Sequence, residues 1–577
     1  MRKLIIINKK IGLLDEKNIL RNVTSKKILI YDLHLDKNKD FYKKNKILKN
    51  ILKNNIFSNR NFLKIKKIFE NKIKDFLKKN PDFIEYKFTE LNYSDFWWKI
   101  LLKAYVINIF CREKNIQEVQ IIEKFKSDLS SALSAQKNFF YFKRSNYFLN
   151  LLKYKIFFKK VYISNFFKEI ISYIFSINNK NNKNNKNNNE NKKNFIYSGF
   201  PNGWIFSKKP YNRFFGGKIA DNNFYLFSLT RSNQYILDFN KTYLDRLKII
   251  DNYILLEENS TIKNIFFNYF IKNKNKKKIF HKLNKVFKNN FISSLLAQAI
   301  IDIEIPKNNV LIDNLKKFNN SNKVKKIIHS IPEFVDGRII NRVFNEKKIK
   351  TYGIQHSSLG ILQYSRFITM IKLISKINKK YLPKNLLVEN LFIKKKFSNI
   401  FSNTKIIGNL RINKRMKYNK INNKNIHYIA EMHNINLLSD RIIKIKNNFK
   451  DKNLFIRLHP GKKKIQKKIV SRISGFNKNI FLDENKDLTQ SIFKIKPGLV
   501  FTSSPTVYRE LIINNIRVVL IDDMNFFTNY PIDIKYNKIT KTSKFKNADY
   551  KKKTHNLTTK IFGNVAENRI YNIFNEK

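Results

Sequence analysis

Between residues 349 and 521, short apolar runs alternate with stretches of helical periodicity. That alternation limits the fold more than any other feature of the chain. The runs lie at 349–354, 386–389, 404–407, 426–430, 453–457, 479–482, 498–502 and 516–521. They are rich in Ile, Leu, Val and Phe, as strands covered on both faces must be. Helical patterns separate many of them, for instance at 435–449 and 504–514. Strand–helix alternation of this kind implies a parallel, doubly wound sheet. Residues 404–540 are long enough for one such domain, and the earlier material, less its insertions, for another. The expected class is therefore α/β, with two Rossmann-like domains and helical insertions in the N-terminal half.

Further strands are expected at Leu4–Ile7, 27–31, 118–122, Phe224–Phe227 and 326–329, and one around Phe88. Residues 40–80 and Phe96–Cys111 read as helical. Residues 125–175 are rich in aromatic side chains, Phe139 to Phe142, Phe157, Phe158, Phe166 and Phe167 among them. Such a stretch belongs more often to a core or a helix–helix contact than to a membrane face. Residues 178–193 are almost entirely Asn and Lys and read as a disordered loop or linker, because nothing in them can form a core. The expected segmentation is an N-terminal α/β region at 1–177, the Asn/Lys linker at 178–193 and the remainder of the first Rossmann-like domain at 194–400. A nucleotide-binding domain at 401–545 and a tail or crossover helix at 546–577 complete it.

Charge is the boldest compositional number and the least specific. The 577 residues carry a formal net charge of +73. Lysine and asparagine are spread through strands and helices alike, so the excess reads as a chain-wide bias and not as a nucleic-acid-binding stripe. A basic nucleic-acid-binding protein stays open as an alternative on charge alone. Attraction to anionic lipid headgroups is the expected residue of that charge. The single cysteine, Cys111, excludes disulfides and cysteine-based zinc sites. With no signal-peptide pattern and no run of 18 apolar residues, the expected place is the cytoplasm, with loose, salt-released attachment to the inner face of the cell membrane.

Chemistry gathers at the ends of the apolar runs, where ligands of open α/β sheets bind. Arg457-Leu458-His459-Pro460-Gly461 follows one run, and Thr502-Ser503-Ser504-Pro505-Thr506 follows another. Arg457 suits bidentate phosphate binding and His459 adds a donor, while Pro460 ends the strand and Gly461 permits close approach. Ser503 or Ser504 is placed to cap a helix whose N–H groups attract anions, and Glu510 lies on that helix within reach of a ribose hydroxyl. Gln355-His356-Ser357 ends a third run, with His356 as a candidate catalytic or positioning residue. Arg338, which follows Asp336-Gly337 at a helix start, and Glu431 and His433 after the run 426–430 are further candidates for substrate contact. The pair Asp522-Asp523 lacks a spaced third ligand, so no metal is expected. A P-loop is excluded, because Gly461-Lys462-Lys463 lacks the preceding glycine and the hydroxyl.

Taken in order, Asp336-Gly337-Arg338, Gly353-Ile354-Gln355-His356, Ile407-Gly408-Asn409, Arg457-Leu458-His459-Pro460 and Thr502-Ser503-Ser504 resemble the motifs of bacterial surface-carbohydrate biosynthesis proteins, GT-B-like enzymes of capsule and O-antigen assembly. The chain is similar, more distantly, to bacterial sialyltransferases, Kdo transferases and polyglycerolphosphate transferases. Ser357 stands where the family has glycine. The resemblance implies a GT-B arrangement and a glycosyltransferase. It would move a sugar from a nucleotide-activated donor, CMP-linked by preference, to a surface polysaccharide or its lipid-linked precursor, without cofactor. His459-Pro460 and Ser503-Ser504 would bind the donor phosphates. A transferase of a CDP-linked polyol phosphate and a non-catalytic scaffold of the same fold remain alternatives.

Overall fold

The computed structural model describes residues 3–7, 28–32, 59–90, 96–116, 118–122, 147–182, 193–198, 204–205, 211–212, 224–230, 253–271, 275–330, 332, 334–355, 365–389, 391–401, 403–407, 421–430, 437–459, 463–475, 479–485, 488–504, 507–508, 511, 516–521 and 539–540. The chain forms two compact units, one of residues 1–186 and 256–318, the other of 187–255 and 319–577.

The first unit has a three-stranded parallel sheet in which β1 (Lys3–Ile7) lies between β2 (Ile28–Asp32) and β3 (Glu118–Ile122). Its helices are α1 (Asn59–Lys79), α2 (Phe96–Glu113), α3 (Tyr147–Asn182), α4 (Ile262–Phe266, continued as a π-turn through Ile271), α5 (Lys276–Phe287), α6 (Asn290–Ala299) and α7 (Ile305–Asn322). Two expectations are corrected here. Phe88 lies on a 3-10 turn, Lys87–Glu90, and not on a strand; its ring packs among Phe76, Phe83 and Phe287, so an aromatic contact overrides local β propensity. Residues 178–182 of the Asn/Lys segment continue α3, because extending a formed helix costs far less than nucleating one. Residues 183–192 lie outside the described residues. Cys111 is buried, as a core cysteine should be, and burial pushes its thiol up to about 12, which removes it as a nucleophile.

The second unit is built on two all-parallel sheets flanked by helices, so the expected α/β class with two Rossmann-like sheets is what the chain forms. The larger sheet comprises β4 (Lys193–Ser198), β5 (Phe224–Phe227), β6 (Tyr253–Leu255), β7 (Val324–His329), β8 (Lys350–Ile354), β9 (Asn385–Val388) and β10 (Asn403–Ile406), in the order β10-β9-β8-β7-β4-β5-β6. Helix α8 (Val335–Glu346) links β7 to β8. The smaller sheet comprises β11 (Asn422–Ile429), β12 (Asn453–Arg457), β13 (Ile480–Asp483), β14 (Pro497–Thr502), β15 (Val518–Ile521) and β16 (Ile539–Thr540), in the order β13-β12-β11-β14-β15-β16. Its connecting helices are α9 (Leu438–Asn448), α10 (Lys463–Ser474) and α11 (Leu488–Ile495). Ile426, Tyr428, Leu454, Ile456 and Phe501 pack against Leu438, Ile442 and Ile445 of α9 to form one side of the core. The other side joins Ile429 and Val500 to Ile492 and Leu511. Each fully buried aliphatic or aromatic side chain contributes about 1.5–3 kcal/mol.

Chain order fixes where a ligand can enter the smaller sheet. From β11 the chain steps outward to β12 and β13, then returns past β11 to lay down β14, β15 and β16 on the other side. The reversal falls between β11 and β14. At such a switch point the connections diverge to opposite faces and leave a crevice beyond the strand ends. In the larger sheet the same reversal falls between β4 and β7.

Candidate functional site

At the carboxyl ends of the smaller sheet, four residues stand in one row across four strands. Thr502 of β14 pairs with Ile429 of β11, Ile429 pairs with Arg457 of β12, and Arg457 pairs with Asp483 of β13. The sequence motifs around 457 and 502 thus meet at the switch point, one strand apart.

Each is held in place by polar bonds. The Thr502 hydroxyl bridges the Ile429 carbonyl at 3.3 Å and the Ser504 N–H at 3.1 Å, which bends the chain out of the strand. Ser504 then caps the following turn: its carbonyl accepts from the Tyr508 N–H at 2.9 Å and its hydroxyl from the Val507 N–H at 3.5 Å. Of the two candidate caps it is Ser504, because the Ser503 hydroxyl is buried and accepts from Arg441 Nη1 at 2.9 Å. Arg441 comes from α9, is itself buried, and sets a guanidinium behind the Ser503 loop. Across β11, the His459 N–H donates to Oε1 of the buried Gln466 on α10 at 2.7 Å, which fixes the turn after Arg457.

Arg457 reaches sideways. Its Nη1 donates to Asp483 Oδ2 at 3.1 Å and to the Asn485 carbonyl at 3.0 Å, while the side chain stays 15% exposed. Asp483 is the hub of a buried network: Oδ2 also accepts from Ser491 and from His427 Nε2, the latter at 3.1 Å, and Oδ1 accepts from the Asn485 N–H and Nδ2. Burial alone would raise the Asp483 carboxyl, but the bonds from His427, Ser491 and Asn485 outweigh it and hold the group below the ordinary carboxylate range. Burial pushes His427 the opposite way for a base, down, and Arg457 adds to that. The bond to Asp483 and its charge pull the other way without reversing the direction; His427 donates from Nε2, and Arg457 supplies a full positive charge to Asp483. The bare His427 Nδ1 is buried with no hydrogen-bond partner among the described residues.

The larger sheet ends in a different chemistry. Gln355, just past β8, and Glu389, just past β9, are both buried. Gln355 Nε2 donates to Glu389 Oε2 at 3.3 Å, and the Glu389 N–H donates back to Gln355 Oε1 at 3.2 Å. His329, at the end of β7 beside the reversal, shares a 2.9 Å hydrogen bond with Asn341 of α8, whose amide donates to the Tyr381 carbonyl. Gly353 has its reason in close packing: a Cβ there would stand 2.7 Å from Pro383 and 2.9 Å from Pro332.

The structure thus brings Arg457, His459, Thr502, Ser503 and Ser504 to one sheet end and seats Gln355 at another. Arg338 is fully buried on the first turns of α8 and holds no surface position. The helix begins at Val335, so Asp336 lies in its first turn and is not its cap; the acidic side chain favours the helix dipole there. His356, Ser357, Glu431, His433, Pro460, Gly461, Glu510 and the pair Asp522-Asp523 lie outside the described residues. Sequence reasoning missed Asp483, His427, Ser491, Arg441 and Glu389. One signal was available: a histidine inside a wholly buried strand needs a polar partner. No group of three or more His, Cys, Asp or Glu among the described residues has metal-site geometry.

Neither the family models nor the curated proteins contain a match to this chain. Among solved structures, the UDP-GlcNAc 2-epimerase from Methanocaldococcus jannaschii, in complex with UDP-GlcNAc and UDP, aligns over 66% of this chain and 99% of its own at 12% identity, with a TM-score of 0.38. The UDP-GlcNAc 2-epimerase from Neisseria meningitidis, bound to UDP-GlcNAc, aligns over 60% and 86% at 13% identity and a TM-score of 0.35. CalG4, the calicheamicin glycosyltransferase, aligns over 66% and 93% at 8% identity and a TM-score of 0.34. Likenesses this distant carry no argument about activity, which has to come from the chain's own residues.

Proposed function

We propose that the chain is an enzyme acting on a nucleotide-activated sugar, and that it transfers the sugar to a surface polysaccharide or its lipid-linked precursor. The observation that supports the reading best is the row Thr502–Ile429–Arg457–Asp483 across the switch point of the smaller sheet. It sets a partly exposed guanidinium and the His459 turn on one side of β11, and the Ser504-capped turn on the other. Arg457 and Arg441 stand against the Asp483 carboxylate, and the adjoining Glu484 is paired with Lys467, so the balance at this sheet end is positive. That suits a diphosphate and the charge that grows on it as the sugar departs.

In this reading Arg457 and His459 stabilise the leaving phosphate, and the Ser504-capped turn forms the opposite wall of the site. Asp483 does not touch the donor. It fixes the guanidinium plane, so little reorganisation remains when charge develops. Thr502 and Ser503 spend their hydroxyls on the Ile429 carbonyl and on Arg441, and so shape the loop. Gln355 and Glu389 belong to the acceptor side, with His356 as the candidate base. The resemblance of the motifs to surface-carbohydrate enzymes supports the choice of acceptor, and the reading commits to no particular base.

The test is a donor screen by isothermal titration and mass spectrometry over CMP-, CDP-, UDP- and GDP-linked compounds. At least one nucleotide sugar should bind and lose its sugar to an acceptor in the presence of the enzyme. Binding of only a CDP-linked polyol phosphate would redirect the reading to polyol-phosphate transfer. Failure of every nucleotide compound to bind would end it.

A further inference from the structure

Helix α3 is apolar on two adjoining faces. With successive residues about 100° apart, Tyr154, Phe158, Tyr162, Phe166, Ile170 and Tyr173 share the inner face. The last four pack against Ile265 and Tyr269 of the α4 segment and Val310 of α7. Leu152, Ile156, Ile163, Phe167, Ile171 and Ile174 fall on the neighbouring face, within little more than a quarter-turn of one another, and all are exposed, Phe167 by 55%. A helix that is hydrophobic all round is normally enclosed by protein or lipid. Here the outer stripe faces solvent.

The stripe is not isolated. Phe167 contacts Phe166, Phe166 meets Phe270 edge-on at 4.9 Å, and Phe270 stacks on Phe266 at 4.9 Å. Phe266 and Phe270 are themselves about half exposed, as are their neighbours Ile262 and Phe267. An apolar surface therefore runs from α3 on to the α4 segment, a larger patch than scattered surface residues make.

Charge identifies the occupant. Residues 147–182 contain six lysines, at 153, 155, 159, 160, 168 and 180, and one carboxylate, Glu169, which is buried on the inner face. Residues 261–271 add Lys263 and no acid. A second copy of this surface would bring lysines against lysines with no carboxylate to meet them, which opposes self-association. A surface that accepts apolar side chains and presents negative charge answers both features. No helix among the described residues is long and apolar enough to cross a membrane, so the geometry is that of a helix lying in the interface.

We infer that the outer face of α3, extended by Phe266 and Phe270, docks the protein on an anionic lipid bilayer, with Phe167 and its aliphatic neighbours inserted among the acyl chains and the α3 lysines at the headgroups. Docking by insertion differs from purely electrostatic attachment in what salt can undo. At 1 M ionic strength the Debye length falls to about 3 Å, yet the inserted side chains still hold.

The experiment is flotation of the full chain with vesicles of phosphatidylcholine alone and with added phosphatidylglycerol, at low salt and at 1 M. Binding is expected to the anionic vesicles, and a measurable fraction should remain at 1 M salt. The triple variant Ile163→Gln/Phe167→Gln/Ile174→Gln changes exposed positions only and should leave thermal unfolding unchanged. It should lower partitioning about 100-fold, at roughly half the full burial value for each side chain. Lys153→Gln/Lys160→Gln, at the edge of the outer stripe, should lower it about 25-fold at low salt, at about fivefold per lysine. Equal binding of parent and apolar variant, equal binding to neutral and anionic vesicles, or complete release at 1 M salt would overturn the inference. So would a dimer in sedimentation that the apolar variant dissolves while vesicle binding is unchanged, since the face would then belong to a second copy. None of these readouts uses catalysis, so they stand or fall apart from the proposed reaction.

Discussion

The two parallel sheets of the second unit share a topology and end in opposite chemistries. Each reverses its strand order once, between β11 and β14 in the smaller sheet and between β4 and β7 in the larger. Beyond the smaller sheet stand Arg457 and Arg441, with Asp483 neutralising part of their charge. Beyond the larger stand the Gln355–Glu389 pair and the His329–Asn341 pair, and Arg338 lies buried on α8 as Arg441 does on α9. The two ends thus differ in their polar networks: an ion-paired hub at Asp483 in one, and amide-centred pairs at Gln355 and Asn341 in the other. The difference resides in a few strand-end residues and not in the architecture, as expected when function is grafted on a common fold.

Removing the hub is the strongest way to break this comparison. Asp483→Ala deprives Arg457, His427, Ser491 and Asn485 of a common acceptor, and its side chain is fully buried. Breaking a buried ion pair from one side costs about 3–5 kcal/mol. Urea unfolding followed by tryptophan fluorescence and circular dichroism should show that loss, and nucleotide-sugar binding should fall with it. A variant as stable as the parent would mean that Arg457 is not held by this carboxylate.

His459→Ala separates chemistry from scaffold. The His459 main chain, not its ring, makes the bond to Gln466, so the turn should survive the substitution. Stability should stay within about 1 kcal/mol, while turnover falls about 100-fold, the usual cost of one donor to a developing oxyanion. Unchanged turnover with unchanged donor binding would remove His459 from the site and leave the cationic end to Arg457 alone.

What the sequence made legible follows from locality. β8, β9, β10, β12, β13 and β14 match apolar runs to within a residue or two, because a short run of apolar side chains bounded by polar ones is a local strand signal, whether both faces are covered, as in β14, or one, as in β12. β4 was illegible: it opens on Lys193-Asn194, inside the Asn/Lys tract, and only its pairing with β5 and β7 makes it a central strand. The site divides the same way. Arg457, His459, Thr502 and Ser504 sit where their own strands end and could be read there. His427 and Asp483 are 56 residues apart, and Arg441 and Ser503 are 62 apart. No local pattern links such pairs; the sheet register brings them together. The exposed face of α3 was hidden for a related reason, since the sequence shows two apolar faces without saying which one the protein covers.

Gly353→Ala sharpens the comparison from the other sheet. The added methyl would meet two proline rings at 2.7 and 2.9 Å, and neither ring can swing away as a flexible side chain would. A cost of about 1–3 kcal/mol is expected from overpacking, read by thermal unfolding. Donor affinity, measured on the folded fraction by titration, should be unchanged, because the strain falls at the end of β8 and not beside Arg457. A matching loss of donor affinity would mean that the two sheet ends do not act separately.

The smallest effect tests the electrostatics of the hub through pH. Both folded values are depressed, that of Asp483 below the ordinary carboxylate range and that of His427 below 6.5. A group with a depressed folded pKa binds protons more readily when unfolded, so each contributes stability at high pH that is lost on acidification. For His427 the loss begins as pH falls through about 6.5, the unfolded value, and for Asp483 only below about 3.9. Between pH 7 and 5 the histidine therefore dominates this pair. One proton can tilt stability by at most about 1.4 kcal/mol per pH unit. His427→Gln keeps a donor toward Asp483 but cannot titrate, so its unfolding free energy should decline less steeply than the parent's across that interval. Urea midpoints at pH 5, 6 and 7 give the slopes. Parallel slopes would show that His427 titrates alike in the folded and unfolded chains; a steeper decline in the variant than in the parent would show that His427 is already protonated in the folded protein, in which case the cationic end of the smaller sheet carries three charges and not two.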